Sequence, residues 1–268
     1  MTLGICDWGI GGLGLYDLLK RSRPDVAVTY IGDQGSIAYS MLTKPELADR
    51  VEQVLWTFRG LGVDRVVFAC DEASTALGEV NVPGVTASGV IDPTLRSMRT
   101  RKYREVGVIG GRRTVLSGAY GRALRKQHFC VLQRVSDDLS IAIEEGLTDA
   151  TKTHELLEGV LEPLAKVDCL LLACTHYRLV ADTIREMLPR ADIVDPVDQT
   201  VSELLSSLKT AESAGVPDTF YSSGDPLAMK KRAWETYGLD IQVEQIHVAQ
   251  PGRRGVELTG DLSLFKLE

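Results

Sequence analysis

Hydrophobic positions along the chain fall into two alternating patterns. Short apolar runs at 2–7, 26–31, 66–69, 105–109, 130–134 and 167–173 are too brief for globular helices and read as strands buried on both faces. Between them, apolar residues recur at helical spacing. Leu15, Leu18 and Leu19 mark one helix, and Leu47, Val51, Val54, Leu55 and Phe58 mark another, opened by Lys44-Pro45-Glu46 with proline near the first turn. Further helices are predicted near 117–120, over 153–164 and over about 199–211, and the tail from 220 to 248 reads as strand, turn, helix, strand. Strands that alternate with helices predict an α/β fold with parallel sheets.

Two stretches echo each other within this pattern. Val66-Val67-Phe68-Ala69-Cys70-Asp71-Glu72-Ala73-Ser74 and Leu170-Leu171-Leu172-Ala173-Cys174-Thr175-His176-Tyr177 each run from a strand through Ala-Cys into a polar, helix-like segment. The cysteines stand 104 positions apart, and Gly4 and Gly107, which open similar strands, stand 103 apart. This repeat predicts two similar doubly wound α/β domains related by a pseudo-twofold axis, with the active site in the cleft between them. The predicted division is 1–96 plus 212–268 for the first domain and 97–211 for the second. Open α/β sheets bind ligands at the carboxyl ends of their strands, where each cysteine falls. A thiol at a helix start is also expected to ionise more readily, making the two a candidate pair of bases. A single Ala-Cys at a strand end would more simply be a small core residue; the matched pair is what argues otherwise.

Composition narrows the class. At 268 residues, 44% hydrophobic and 25% charged, the chain has ordinary globular proportions and is long enough for a sizeable core. No apolar run is long enough to span a bilayer and no basic-then-apolar leader opens the sequence, so the expectation is a cytoplasmic protein without membrane association. Five cysteines, without dense spacing or a CxxC pair, predict reduced thiols and no metal site. The net charge of −7 argues against nucleic acid, and the basic run over 96–104 reads as a solvated helix end.

A glycine-rich turn, Gly9-Ile10-Gly11-Gly12-Leu13-Gly14, joins the first strand to its helix, and Asp33 closes the second strand. This is the spacing of a dinucleotide site. Against it, Asp7 and Trp8 would set a negative charge and an indole beside the phosphates, and the glycines can instead serve close helix-on-strand packing.

Taken in order, Asp7-Trp8-Gly9-Ile10-Gly11-Gly12-Leu13, Gly32-Asp33, Cys70-Asp71-Glu72-Ala73-Ser74, Gly107-Val108-Ile109-Gly110, Ser117-Gly118-Ala119-Tyr120, Glu145-Gly146, Cys174-Thr175-His176-Tyr177 and Ser223-Gly224-Asp225-Pro226 resemble the signature set of the cofactor-independent aspartate/glutamate racemases, glutamate racemase in particular. The resemblance covers essentially the whole chain. It implies a small-molecule amino-acid substrate, no cofactor, a homodimer, and Cys70 and Cys174 exchanging thiolate and thiol roles on opposite faces of the substrate's α-carbon. It further implies Asp7 and His176 as auxiliary groups beside the thiols, Glu145 as a supporting acid, and Tyr39, Ser40, Thr114 and Thr175 as substrate hydrogen bonds.

The departures fall on the substrate side. Trp8 stands where the family has a small serine, Asp71-Glu72 where it has Asn-Thr, and Gly111 where it has threonine. If ionised, the two acids would offer no donors and would repel an anionic ligand by about 4 kcal/mol for a contact near 4 Å. Helix capping would be an alternative use for them. The expected function is therefore a two-cysteine racemase or epimerase whose substrate is not free glutamate but a non-anionic or cationic amino-acid-like unit. A true glutamate racemase, a catalytically silent binding or regulatory homologue, and a dinucleotide-binding protein are the rivals.

Overall fold

The computed structural model describes residues 2–146, 149–208 and 216–249. The first lobe begins with β1 (Leu3–Asp7), α1 (Leu13–Ser22), β2 (Val28–Gly32), α2 (Lys44–Gly60), β3 (Arg65–Phe68), α3 (Asp71–Ser74), β4 (Thr86–Gly89) and α4 (Ile91–Met98). The second lobe comprises β5 (Glu105–Gly110), α5 (Arg112–Ser117), α6 (Ala119–Lys126), β6 (Cys130–Val135), α7 (Asp137–Glu144), α8 (Ala150–Leu161), β7 (Cys169–Ala173), α9 (Ala181–Met187) and β8 (Asp192–Val194). The described residues close with α10 (Pro196–Ser207), β9 (Thr219–Ser222), α11 (Pro226–Tyr237) and β10 (Val243–Gln245).

All strand pairs are parallel, in two sheets of order β10-β9-β2-β1-β3-β4 and β6-β5-β7-β8. Within the first, β2-β1-β3-β4 reproduces the order of β6-β5-β7-β8, so the internal repeat is one of topology as well as sequence. β3 and β7 occupy matching central positions, and the chain leaves each at a cysteine. Their residues are buried almost without interruption because helices cover both faces of each sheet.

Helix ends follow local chemistry. Thr43 and Glu46 form a reciprocal capping box at the start of α2, and prolines sit in the first turns of α10 and α11. The helix predicted over about 199–211 starts earlier, at Pro196, and the part from 209 onward, like the domain boundary at 211/212, lies outside the described residues. That helix, grouped with the second half by sequence, packs Val197, Val201 and Leu204 into the core of the first lobe beneath α1.

A buried ion pair ties α2 to the loop that follows β2. Asp33 is fully buried and accepts from Arg50, from the Tyr39 hydroxyl at 2.6 Å and from the Ser223 hydroxyl at 2.7 Å. Removing the guanidinium strands that carboxylate. Arg50→Ala is expected to cost about 3–5 kcal/mol in urea unfolding, and a loss below about 1 kcal/mol would show that the network contributes little.

Candidate active site

Both matched cysteines line one small cavity between the lobes, of about 20 Å³, together with Asp7, Trp8, Tyr39, Ser40, Asp71, Glu72, Ser140, Ile141, Thr175 and His176. That volume holds about one water molecule, so in this form the cleft is shut. Cys70 and Cys174 are 3% and 6% exposed. The helical segments that follow them are a four-residue α3 and a 3-10 turn, Thr175–Val180. Such short segments give little dipole, and burial dominates: Cys70 is pushed well above its ordinary value by burial and by Asp7 and Glu72, and Cys174 is pushed up to about 11. The expected readiness to ionise is therefore absent in the closed cleft.

Cys174 has such a neighbour in His176, whose Nδ1 lies 3.7 Å from Sγ while Nε2 lies 2.6 Å from Oε2 of Glu144. Burial works against a charged imidazole, but the hydrogen bonds to Cys174 and Glu144 overrule it, and His176 titrates well above its ordinary value. Glu144 is held below its own, since His176, the Ile10 N–H and the Gln34 amide together outweigh its burial. Cys174, His176 and Glu144 thus form a line of proton-holding groups. Ile10 and Gln34 belong to the first lobe, so the opposite lobe holds the far end of that line.

On the other side, the Cys70 thiol donates to Oε2 of Glu72 at 3.3 Å. Asp7 is buried, and its carboxylate accepts from the Trp8 N–H at 2.7 Å and the Thr175 hydroxyl at 2.8 Å. Asp71 accepts from the Tyr120 hydroxyl at 2.7 Å, across the lobe boundary, and its Oδ2 is buried without a partner. Neither Asp71 nor Glu72 makes a side-chain cap to α3. Burial lifts Asp71 well above the carboxylate range and Glu72 to about 7. The sequence left the charge of these two acids open; burial shifts Asp71 toward its neutral form, and Glu72 titrates near neutrality.

The sequence profile of the Asp/Glu/Hydantoin racemases matches residues 23–204. The chain belongs to this family. It is 30% identical over 226 residues to glutamate racemase of Aquifex aeolicus, covering 83% of this chain and 89% of that one. Among solved structures, a glutamate racemase isoform of Bacillus anthracis superposes with TM-score 0.83 at 26% identity, covering 92% and 97%. Glutamate racemase of Aquifex pyrophilus gives 0.76 at 28%, covering 91% and 98%. The chain is accordingly an isomerase, from a family that works without pyridoxal phosphate.

In this racemase the acid that meets His176 is Glu144, not Glu145. Glu145 is exposed beyond the end of α7, where its carbonyl accepts from Arg232. Ser140, Ile141 and Glu144 share one helical face toward the cleft. Tyr39 lines the cavity, but its hydroxyl is committed to Asp33. The Thr175 hydroxyl is likewise committed to Asp7. Thr114 is not among the cavity-lining residues, and its hydroxyl is buried without a partner. Trp8 is half-buried, its ring N–H donating to the Ser36 carbonyl at 3.3 Å, and its bulk helps close the cavity.

The glycine-rich turn does bind an anion, but an internal one. Ile10 N–H donates to Glu144, and a Cβ at Gly9 would fall on that carboxyl group, as one at Gly11 would fall on the Thr175 hydroxyl. With Asp33 locked to Arg50 as well, this site has neither the space nor the free acid that a dinucleotide needs. Among the described residues no cluster of three or more His, Cys, Asp or Glu is placed to hold a metal ion. No helix there is long and apolar enough to cross a membrane.

Proposed function

We propose that this racemase inverts an amino-acid-like α-carbon with Cys70 and Cys174 as its acid/base pair, and that free glutamate is not its substrate. The observation that carries the reading is that one thiol from each lobe lines the same cavity, each with its own proton-accepting neighbour. Inversion needs a base on one face of the carbon and an acid on the other. One sulfur takes the α-hydrogen as a proton, leaving the electron pair on carbon, and the other thiol returns a proton from the opposite side. The auxiliary roles fall to His176 with Glu144 for Cys174, and to Glu72 for Cys70.

The substrate class follows from the walls. Asp7, Asp71 and Glu72 line the cavity, and among its described lining residues there is no lysine or arginine. Such a surface favours a ligand that donates hydrogen bonds over a dicarboxylate. Asp71 Oδ2, buried and unpartnered, is an anchor for such a donor. Turnover of free glutamate is the second reading, favoured by one observation: a neutral Asp71 can donate as well as accept, much as an amide does.

Solvent deuterium wash-in at Cα, followed by NMR over both enantiomers of glutamate, aspartate, their amides, ornithine, lysine and simple hydantoins, separates the two. Exchange is expected with an uncharged or cationic member and at most weakly with glutamate. Inversion of glutamate at ordinary enzymatic rates, with turnover of order 1–10³ s⁻¹, would falsify the altered-substrate reading.

A further inference from the structure

We infer that Glu72 is the proton-holding partner of Cys70, forming with it a thiol–carboxyl pair that does for one face of the substrate what His176 does for the other. The inference rests on the reading of Cys70 as one of the two acid/base groups. Three observations carry it. The Cys70 thiol donates to Glu72 Oε2 at 3.3 Å. The neighbouring carboxylate, Asp7, is already turned to Thr175 and the Trp8 N–H. The Glu72 side chain crosses the cleft into space that exists only because position 111 is glycine, since a Cβ there would fall on Oε1. A long carboxylic acid and the vacancy that houses it come from different lobes and fit one another.

The pair changes its proton count by one as the reaction proceeds. In its base-ready state it holds a single proton, shared between a thiolate with protonated Glu72 and a thiol with ionised Glu72. When the sulfur takes the α-hydrogen as a proton, the C–H electron pair stays on carbon and the pair holds two protons, one on sulfur and one on the carboxyl. In the opposite direction the thiol proton goes to the carbanion and the remaining proton is again shared. Without an adjacent acid, the thiolate left behind would sit buried beside Asp7. On the other face His176 with Glu144 plays that part, and each half-reaction carries one pair from its one-proton to its two-proton state and the other pair the reverse way.

Glu72 is placed to work near neutrality. Burial raises it to about 7, while the hydrogen bond from Cys70 and the charge of His176 hold it down and Asp7 and Asp137 push it up. Asp71 beside it on α3, and Cys174 and Tyr177 from the segment after β7, complete its ionisable surroundings; Asp137 itself is paired with Arg112.

The decisive measurement needs no substrate. Infrared difference spectra of the full-length protein would be recorded between about pH 5 and 9, with the Cys70 S–H stretch assigned as the band lost in Cys70→Ser. In the wild type that band is expected to move as Glu72 ionises near pH 7. In Glu72→Gln, which keeps the size of the side chain, the band is expected to stay fixed, and Glu72→Asp, which keeps the acid, to restore a pH response. A wild-type band that does not respond across that range, or a Glu72→Gln band that titrates like the wild type, overturns the inference. With a substrate in hand, Glu72→Gln is expected to lower wash-in on the Cys70 face by about 10²-fold and to remove the limb near pH 7; an unchanged rate and profile would equally overturn it. Failure of the two-thiol reading looks different: wash-in on the Cys70 face would then survive Cys70→Ser itself.

Discussion

Serine in place of Cys174 is expected to abolish inversion, with a loss of about 10³-fold or more, while leaving exchange on the opposite face. A hydroxyl at that position is too weak an acid and too poor a base to replace the thiol, and the proton-holding line through His176 and Glu144 then has no sulfur to serve. Cys70 still reaches its own face, so one enantiomer continues to take up deuterium with its configuration retained. Cys70→Ser should give the mirror image, with exchange surviving only in the other enantiomer. Alpha-proton NMR combined with chiral chromatography reads both quantities from one sample. If either variant inverts substrate at the wild-type rate, the two sulfurs are not the acid/base pair.

The second large effect is expected from a methyl group far from sulfur. Gly9→Ala puts a Cβ on the Glu144 carboxyl, and Gly9 does not occupy the left-handed region, so the clash is with the side chain and not with its own backbone. Glu144 is the far end of a flexible side chain and can give way, but doing so breaks its buried pair with His176, so unfolding free energy should fall by about 1–3 kcal/mol. Its displacement nevertheless releases His176 and should lower turnover by about 10²-fold, the scale set by misplacing a catalytic contact by about 1 Å.

The pH dependence carries a sign that checks this account. His176 is raised in the folded protein, so it contributes stability that is full below its ordinary value of 6.5 and is lost as pH rises through the folded value. Glu144 is lowered, so it contributes above its ordinary 4.5 and loses that contribution as pH falls through the folded value. The pair therefore contributes fully between about pH 4.5 and 6.5. Gly9→Ala should flatten stability on both sides of that window, and a variant with wild-type turnover and an unchanged stability profile would refute the role given to Glu144.

What the sequence disclosed was whatever repeats or punctuates. The twin Ala-Cys strands, 104 positions apart, announced two lobes and a shared cleft because strand-ending patterns are local and recur. The glycine turn was visible too, yet its meaning was not. Nothing local says that the anion at Ile10 N–H is a side chain 134 positions further on. Glu144 and Glu145 could not be separated without the register of α7, since one step along a helix turns a side chain by about 100°. The charge states of Asp71 and Glu72 were illegible for a related reason: a carboxylate is ionised by default, and only burial, which is a tertiary property, raises it. Likewise nothing local showed that the helix-like segments after the cysteines would be short turns, so the predicted help to the thiols shrank.

The chamber between the lobes has room for a lone water, so anything larger must enter through a parted form. Parting strips Glu144 of the two donors that Ile10 and Gln34 hold against it, and with them part of the anchorage of His176. The line from Cys174 through His176 to Glu144 is therefore complete only while the two lobes are together.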